Sequence, residues 1–421
     1  MKYNRTELGD NIGFSAIIDD KFKTNSLLIR FITGLDSKTA ADNAVGIGIL
    51  TNSSSEYKTL AQLNEKLSSL YGASLSSGAR KRGDIQVLHV SSSWINNKYA
   101  IDGEDITSEM LGIICGCIFS PNASEGSFDN ESFRIVQKEL IDKIEAEINN
   151  KRGYALSRAA EFAFSGEPAE NSCYGTKETA GKVTAQSAYQ AYKNILENAQ
   201  VEIFYVAPEE NPAVEQRLKN EFSAISRSHS SVKFYAPSKA KEETLRISEE
   251  FDVRQSKMVL VFKTESDDCH AIRLLSTIFG ETPVSKLFMN VREKMSLCYY
   301  CASRVLFAKG SLSVDCGVER DNIEKAEKEI LHQLDEIRSG NFSDEELSSA
   351  LMSIDNTLTA VGDTPSSYSS WYFERFCENN IVTPEQQFEA YKAVTRERII
   401  NAAKSLSLDT VYLMLNKEVQ N

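Results

Sequence analysis

The chain repeats itself, and that repetition narrows the folds open to it more than any other feature. Val183-Thr184 leads into a helical stretch through Tyr189 and Ile195, then into the strand-like Val201-Glu-Ile-Phe-Tyr-Val206. About half a chain later the order returns as Val394-Thr395, a helical stretch, and Val411-Tyr-Leu-Met-Leu415. Upstream, Phe128-Asp-Asn-Glu and Phe342-Ser-Asp-Glu each open a long helical run. Their acidic residues fall in the first turn, where the positive end of the helix dipole favours them. Leu27-Leu-Ile-Arg-Phe-Ile32 and Met258-Val-Leu-Val-Phe262 read as buried strands near the start of each half, β-branched and aromatic and bounded by polar residues. A repeat of this length duplicates a domain, since solenoid units are far shorter.

Residues 226–250, with Ser-Arg-Ser-His-Ser-Ser and then Pro237-Ser-Lys-Ala-Lys-Glu-Glu, carry the turn and charge signals of a linker. They place the join near residue 235, giving expected domains 1–235 and 236–421. Strands and long helices do not alternate regularly within either half. The expected fold is therefore α+β, with two homologous domains, each a largely antiparallel sheet with helices packed on one face. With 421 residues, 41% of them apolar, the chain is long enough to bury a core in each.

Charge and hydropathy remove several function classes. Against 60 acidic residues stand 47 basic ones, a net charge of -13, which argues against nucleic acid or an anionic membrane as the main partner. The longest apolar run, Leu111 to Phe119, falls well short of the ~18 residues a membrane span needs. The opening Met-Lys-Tyr-Asn-Arg-Thr-Glu lacks the apolar segment of a secretion signal, so a cytoplasmic location is expected. No glycine cluster, Gly46-Ile-Gly48 included, continues into a nucleotide fingerprint.

The eight cysteines form no small-scaffold framework and are expected to be buried, reduced thiols. Cys298-x-x-Cys301 lies in a strand-like stretch, where residues three apart point to opposite faces and cannot share one ion. Cys115-x-Cys117 lies in a helical stretch, where residues two apart do not face each other. Neither pair is expected to bind metal. His270, following Cys269 at a helix start, reads as a helix-end residue.

Arg292-Glu-Lys-Met-Ser-Leu-Cys-Tyr299 carries the chemistry: a helix is expected to end at the arginine-bearing turn, and a strand to begin before the tyrosine. A guanidinium is always protonated and a phenol hydroxyl is a good donor, so the two can stabilise the oxyanion formed when an amide is attacked. The metal that usually drives such an attack has no obvious holder. Only His89, His229, His270 and His332 are present, and no two stand at the spacing that grips zinc from one helix turn.

At this point the chain resembles the pitrilysin or insulinase family of zinc metallopeptidases, in the two-domain form of the mitochondrial processing peptidase subunits and of paired bacterial peptidases. The resemblance spans nearly the whole chain. It rests on Leu70-Tyr-Gly-Ala-Ser-Leu75, on Glu167-Pro ahead of Tyr174-Gly175, and on Phe279-Gly280 through Ser285-Lys-Leu-Phe288 into Val291-Arg-Glu-Lys. In that family an arginine and a tyrosine seven residues apart in the second domain reach the scissile carbonyl, and Arg292 and Tyr299 match in identity and spacing. Active members also carry His-x-x-Glu-His in the first domain, two imidazoles for zinc and a glutamate to activate water. The corresponding Asp42-Asn-Ala-Val-Gly-Ile-Gly-Ile49 has none of these beyond Asp42, and a third ligand among Glu139 to Glu147 would stand without its histidines.

The resemblance thus implies the subunit without zinc: no metal in this chain, no hydrolysis by it alone, and a homologous partner holding the zinc. The pair would close around unfolded peptides, with Arg292 and Tyr299 as this chain's catalytic contribution and with no nucleic acid or membrane involved. Two alternatives are an inactive scaffold or assembly subunit, and a peptide-binding protein that does not cut.

Overall fold

The protein is described by a computed structural model covering residues 1–228 and 231–417. His229, one of the four histidines, lies outside the described residues. The chain divides into two compact units, neither continuous in sequence. One takes residues 1–145, 171–233 and 362–376; the other takes 146–170, 234–361 and 377–421.

The first unit is built on a six-stranded sheet. Five of its strands come early: β1 (Lys2–Gly9), β2 (Ile12–Ile18), β3 (Thr24–Gly34), β4 (Ser74–Arg82) and β5 (Ile85–Ile95). The sixth, Gln200–Ala207, slots between β2 and β3, parallel to the former and antiparallel to the latter. Every other pairing is antiparallel, and β4 is an edge. In β3 the alternation is plain, with Leu27, Ile29 and Phe31 buried on one face. That face joins one core with α1 (Ala40–Ile49) and the helices Ile106–Phe119, Ala185–Asn198 and Pro212–Ser223. The opposite face receives a helix from late in the sequence, Pro365–Cys377. Phe373 meets Phe204 edge-on at 6.3 Å and lies 4.1 Å beneath the Arg30 guanidinium, and Tyr372 stacks on Tyr3 at 4.1 Å.

The second unit has a five-stranded sheet in the order Cys298–Leu306, Ser311–Val318, Ser256–Lys263, Ser407–Asn416, Leu245–Phe251. Only the last pair is parallel. Read from its Leu245–Phe251 end, this order reproduces that of the first sheet read from β2 to β4. Gln200–Ala207 corresponds to Ser407–Asn416, and β3 to Ser256–Lys263. One face of this sheet receives the helix Lys151–Ala163, whose Ala155, Ala159 and Ala163 pack with Val259, Val261, Tyr412 and Met414. Arg152 adds an ion pair to Asp315, which is 2% exposed.

Local signals explain where the repeated helices begin. The hydroxyls of Thr184, Ser343 and Thr395 each accept a bond from a first-turn amide, satisfying donors that a helix start leaves bare. The linker expected over 226–250 ends sooner than that: Leu245–Phe251 is a strand, pairing in parallel with Ser407–Asn416. Its side chains alternate between half-buried and exposed, so the polar composition that suggested a loop is that of a sheet edge.

Candidate functional site

In the first unit, α1, β4 and the helix Asn130–Ala146 surround a cleft of about 300 Å³. Ala44 and Gly48 line it, four residues apart on α1, the separation at which an inverted zinc motif sets its two imidazoles. Neither offers a donor, and at Gly48 there is no room for one, because a Cβ would lie 2.6 Å from Cγ1 of Val136. Glu139, within the range where a third ligand was expected, also lines the cleft. Among the described residues no group of three His, Cys, Asp or Glu side chains could hold a metal. A zinc ion therefore does not fit this cleft, and no chemical step is routed through one.

The cleft is instead fixed by hydrogen bonds. Lys143 Nζ donates to the Tyr174 hydroxyl at 2.6 Å, and that hydroxyl donates to the Ala79 carbonyl of β4 at 2.7 Å. The Thr51 and Ser77 hydroxyls meet at 2.9 Å, and Asn52 Nδ2 caps the Gly48 carbonyl. Tyr174-Gly175 was legible as a motif; Lys143 and Ser77 carried no sequence signal beyond being polar.

In the second unit the helix Leu287–Lys294 is wound with wide turns: Met295 N donates to Asn290 O, five residues back. Leu287 and Val291 are fully buried and anchor it. Arg292, on its last turn, keeps 41% of its side chain exposed, pairs with Glu293 at 3.4 Å, and lies 4.5 Å over the Phe288 ring. Stacking on that ring restrains the guanidinium at modest energetic gain. Gly280 lets this segment approach the sheet, since a Cβ there would come within 2.7 Å of the Ser303 amide.

The chain then turns through Ser296, a non-glycine residue at φ 51°, and enters Cys298–Leu306 with an irregularity. Cys298 is opposite Val318 and Tyr300 opposite Gly317, leaving Tyr299 without a partner as the extra residue of a β-bulge. Tyr299 is 70% exposed between half-buried or buried neighbours. The same bulge corrects an expectation about the thiols. Cys298 and Cys301 do not face opposite sides: both are buried and lie across from Val318 and Cys316, two residues apart, because the extra residue changes the alternation.

The other described histidines differ in setting, and His332 is exposed. His270 Nε2 lies 2.9 Å from Gln387 Nε2, with the Tyr391 ring edge-on at 5.1 Å. His332 lies on the helix Ile323–Arg338, and His89 on β5.

Two sheets of matching strand order, one beside a cleft lined by Ala44 and Gly48 at the spacing of an inverted zinc motif, define a duplicated α+β architecture. Residues 182–354 match the family model for the Peptidase M16 inactive domain. That match covers part of the chain, and over its whole length the chain shares the fold of a solved M16 inactive-domain protein. It is 26% identical over 404 residues to a probable inactive metalloprotease, YmfF, of Bacillus subtilis (strain 168), covering 95% of this chain and 94% of that protein. Among solved structures, a conserved protein from Enterococcus faecalis V583 superposes with a TM-score of 0.91 at 25% identity over the whole of both chains. A peptidase M16 inactive domain from Pseudomonas fluorescens, 16% identical, shares the fold at a TM-score of 0.81, again over both whole chains. No described helix is long and apolar enough to cross a membrane.

Proposed function

We propose that this chain is the non-zinc subunit of a paired zinc metalloendopeptidase acting on unfolded peptides in the cytoplasm. Its homologous partner holds the metal, and Arg292 and Tyr299 stabilise the oxyanion. The bulge at Tyr299 carries this reading. A regular strand would set that side chain by simple alternation, whereas the extra residue presents it at 70% exposure a short turn beyond Arg292. Bulges and wide helical turns both recur where a side chain must be aimed at a ligand.

The test is co-expression with a homologous chain bearing His-x-x-Glu-His, followed by hydrolysis of an unfolded peptide. Arg292→Ala is expected to lower turnover of the pair by roughly 10²-fold, the scale of losing one oxyanion donor. Near-normal turnover by that variant would end the assigned role.

A second reading, peptide binding without cutting, is favoured by the edge position of β4 beside the filled cleft. An edge strand offers unpaired backbone groups to an extended peptide. Saturable peptide affinity of the chain alone, unchanged by chelator, would favour it over the split site.

A further inference from the structure

Three of the eight cysteines lie on one side of the second sheet, on two adjacent strands. The bulge brings Cys298 and Cys301 to the same side, and strand pairing sets Cys301 directly opposite Cys316. Both of the other thiols lie close enough to Cys301 to shift its titration. Directly opposed residues of antiparallel strands have Cα atoms ~4.5–5.5 Å apart, inside the ~4.4–6.8 Å that a disulfide spans. Cys316 is fully buried, Cys301 is 5% exposed, and Cys298, at the mouth of the strand, is 8% exposed.

The three thiols differ in chemistry as well as in access. The neighbouring Cys301 thiol holds the Cys298 thiol below its ordinary range, against the effect of burial, and the nearby Arg292 charge adds to it. Burial drives Cys301 well above that range. The thiolate is the nucleophile in sulfur oxidation, so Cys298 is the entry point and Cys301 the buried acceptor. The helix thiols Cys115 and Cys117 supply an internal contrast: burial pushes them up to about 11 and about 12.

We infer that Cys298, Cys301 and Cys316 form a hydroperoxide-reactive thiol relay whose product is a disulfide between Cys301 and Cys316. In the first step the Cys298 thiolate attacks a peroxide oxygen, the O–O bond breaks, and the alcohol or water leaves with a proton from solvent, giving Cys298 sulfenic acid. The Cys301 thiol then displaces that hydroxyl as water, forming a Cys298–Cys301 disulfide. Cys316 attacks the Cys301 sulfur, releases Cys298 as a thiol, and leaves the bridge between two opposed strand residues. One peroxide is reduced by two electrons and two thiols are lost. This chemistry is independent of the peptidase reading, because it is read at sulfur.

The experiment treats reduced full-length protein with one equivalent of hydrogen peroxide, blocks free thiols, and maps peptides without reduction. Expected are loss of two free thiols per chain, a Cys301–Cys316 cross-link, and intact Cys115 and Cys117. Cys316→Ala should halt the relay at a Cys298–Cys301 bridge, and Cys301→Ser should leave a dimedone-reactive sulfenic acid on Cys298. Cross-linking at an unchanged rate in Cys298→Ser, or oxidation of Cys115 and Cys117 as fast as the triad, would overturn the inference.

Discussion

His89 shows how much of this structure is decided by single side chains among unlike neighbours. Its ring packs against Gly78 of the adjoining strand, where a Cβ would lie 2.8 Å from the ring. Burial, with the charges of Arg80, Arg30 and Lys143 adding, pushes its pKa down to about 4 from an ordinary 6.5. The folded protein therefore holds a neutral imidazole where the unfolded chain would be protonated. The associated stability is complete above pH 6.5 and falls away as the pH drops from there toward about 4. An NMR titration should show the His89 ring signal unchanged from pH 8 to pH 5, with its midpoint near 4. A midpoint at the ordinary value would contradict the burial argument. Arg292 and Tyr299 belong to this scale too: the sequence identified both residue types and their spacing, while their presentation depends on the elements that carry them.

Among the elements, the helix Lys151–Ala163 is the clearest case of fit. Ala155, Ala159 and Ala163 recur every four residues, all at or below 1% exposure, and form a smooth stripe against the second sheet. A larger side chain there would have to displace Val259, Tyr412 or the helix itself. Ala159→Leu is expected to destabilise the protein by about 1–3 kcal/mol through overpacking. Urea unfolding measures it, and an unchanged midpoint would mean that the stripe tolerates a gap.

How legible each element was follows from where its information lies. The helix starts at Thr184, Ser343 and Thr395, and the apolar strands Leu27–Ile32 and Met258–Phe262, are written in neighbouring residues and could be read directly. The strand Leu245–Phe251 could not be read that way, because its Arg, Ser and Glu residues are tolerated at an edge whose partner lies over a hundred and fifty residues away. The bulge at Tyr299 was hidden for a related reason. It is defined by register against Val318 and Gly317, and no local pattern within Cys298–Leu306 announces an extra residue. The departure from the zinc motif was half legible: absent histidines were visible, but the close approach of Val136 to Gly48 needed the helix Asn130–Ala146 in place.

For the whole molecule, the repeated strand order and the exchanged helices pull in different directions. Strand order makes each half of the sequence look self-sufficient. The compact units are not, since the first includes residues 362–376 and the second includes 146–170. A fragment of residues 1–235 would leave Phe204, Arg30 and Tyr3 without Phe373 and Tyr372. It is expected to bind an apolar dye and to lack the cooperative melt expected of the full chain. A fragment that unfolds sharply and binds no dye would show that the late helix is dispensable.

The exchanged helices also impose a timetable during synthesis. Residues 146–170 leave the ribosome before the sheet they will cover exists, and can wait as a small amphipathic segment. Residues 362–376 have no such freedom: the first sheet has all its strands once Ala207 is made and remains bare on one face until Pro365–Cys377 emerges. That interval, more than the finished structure, is when this chain is most exposed to aggregation. A holding chaperone would act here by covering the surface around Phe204 until Phe373 arrives.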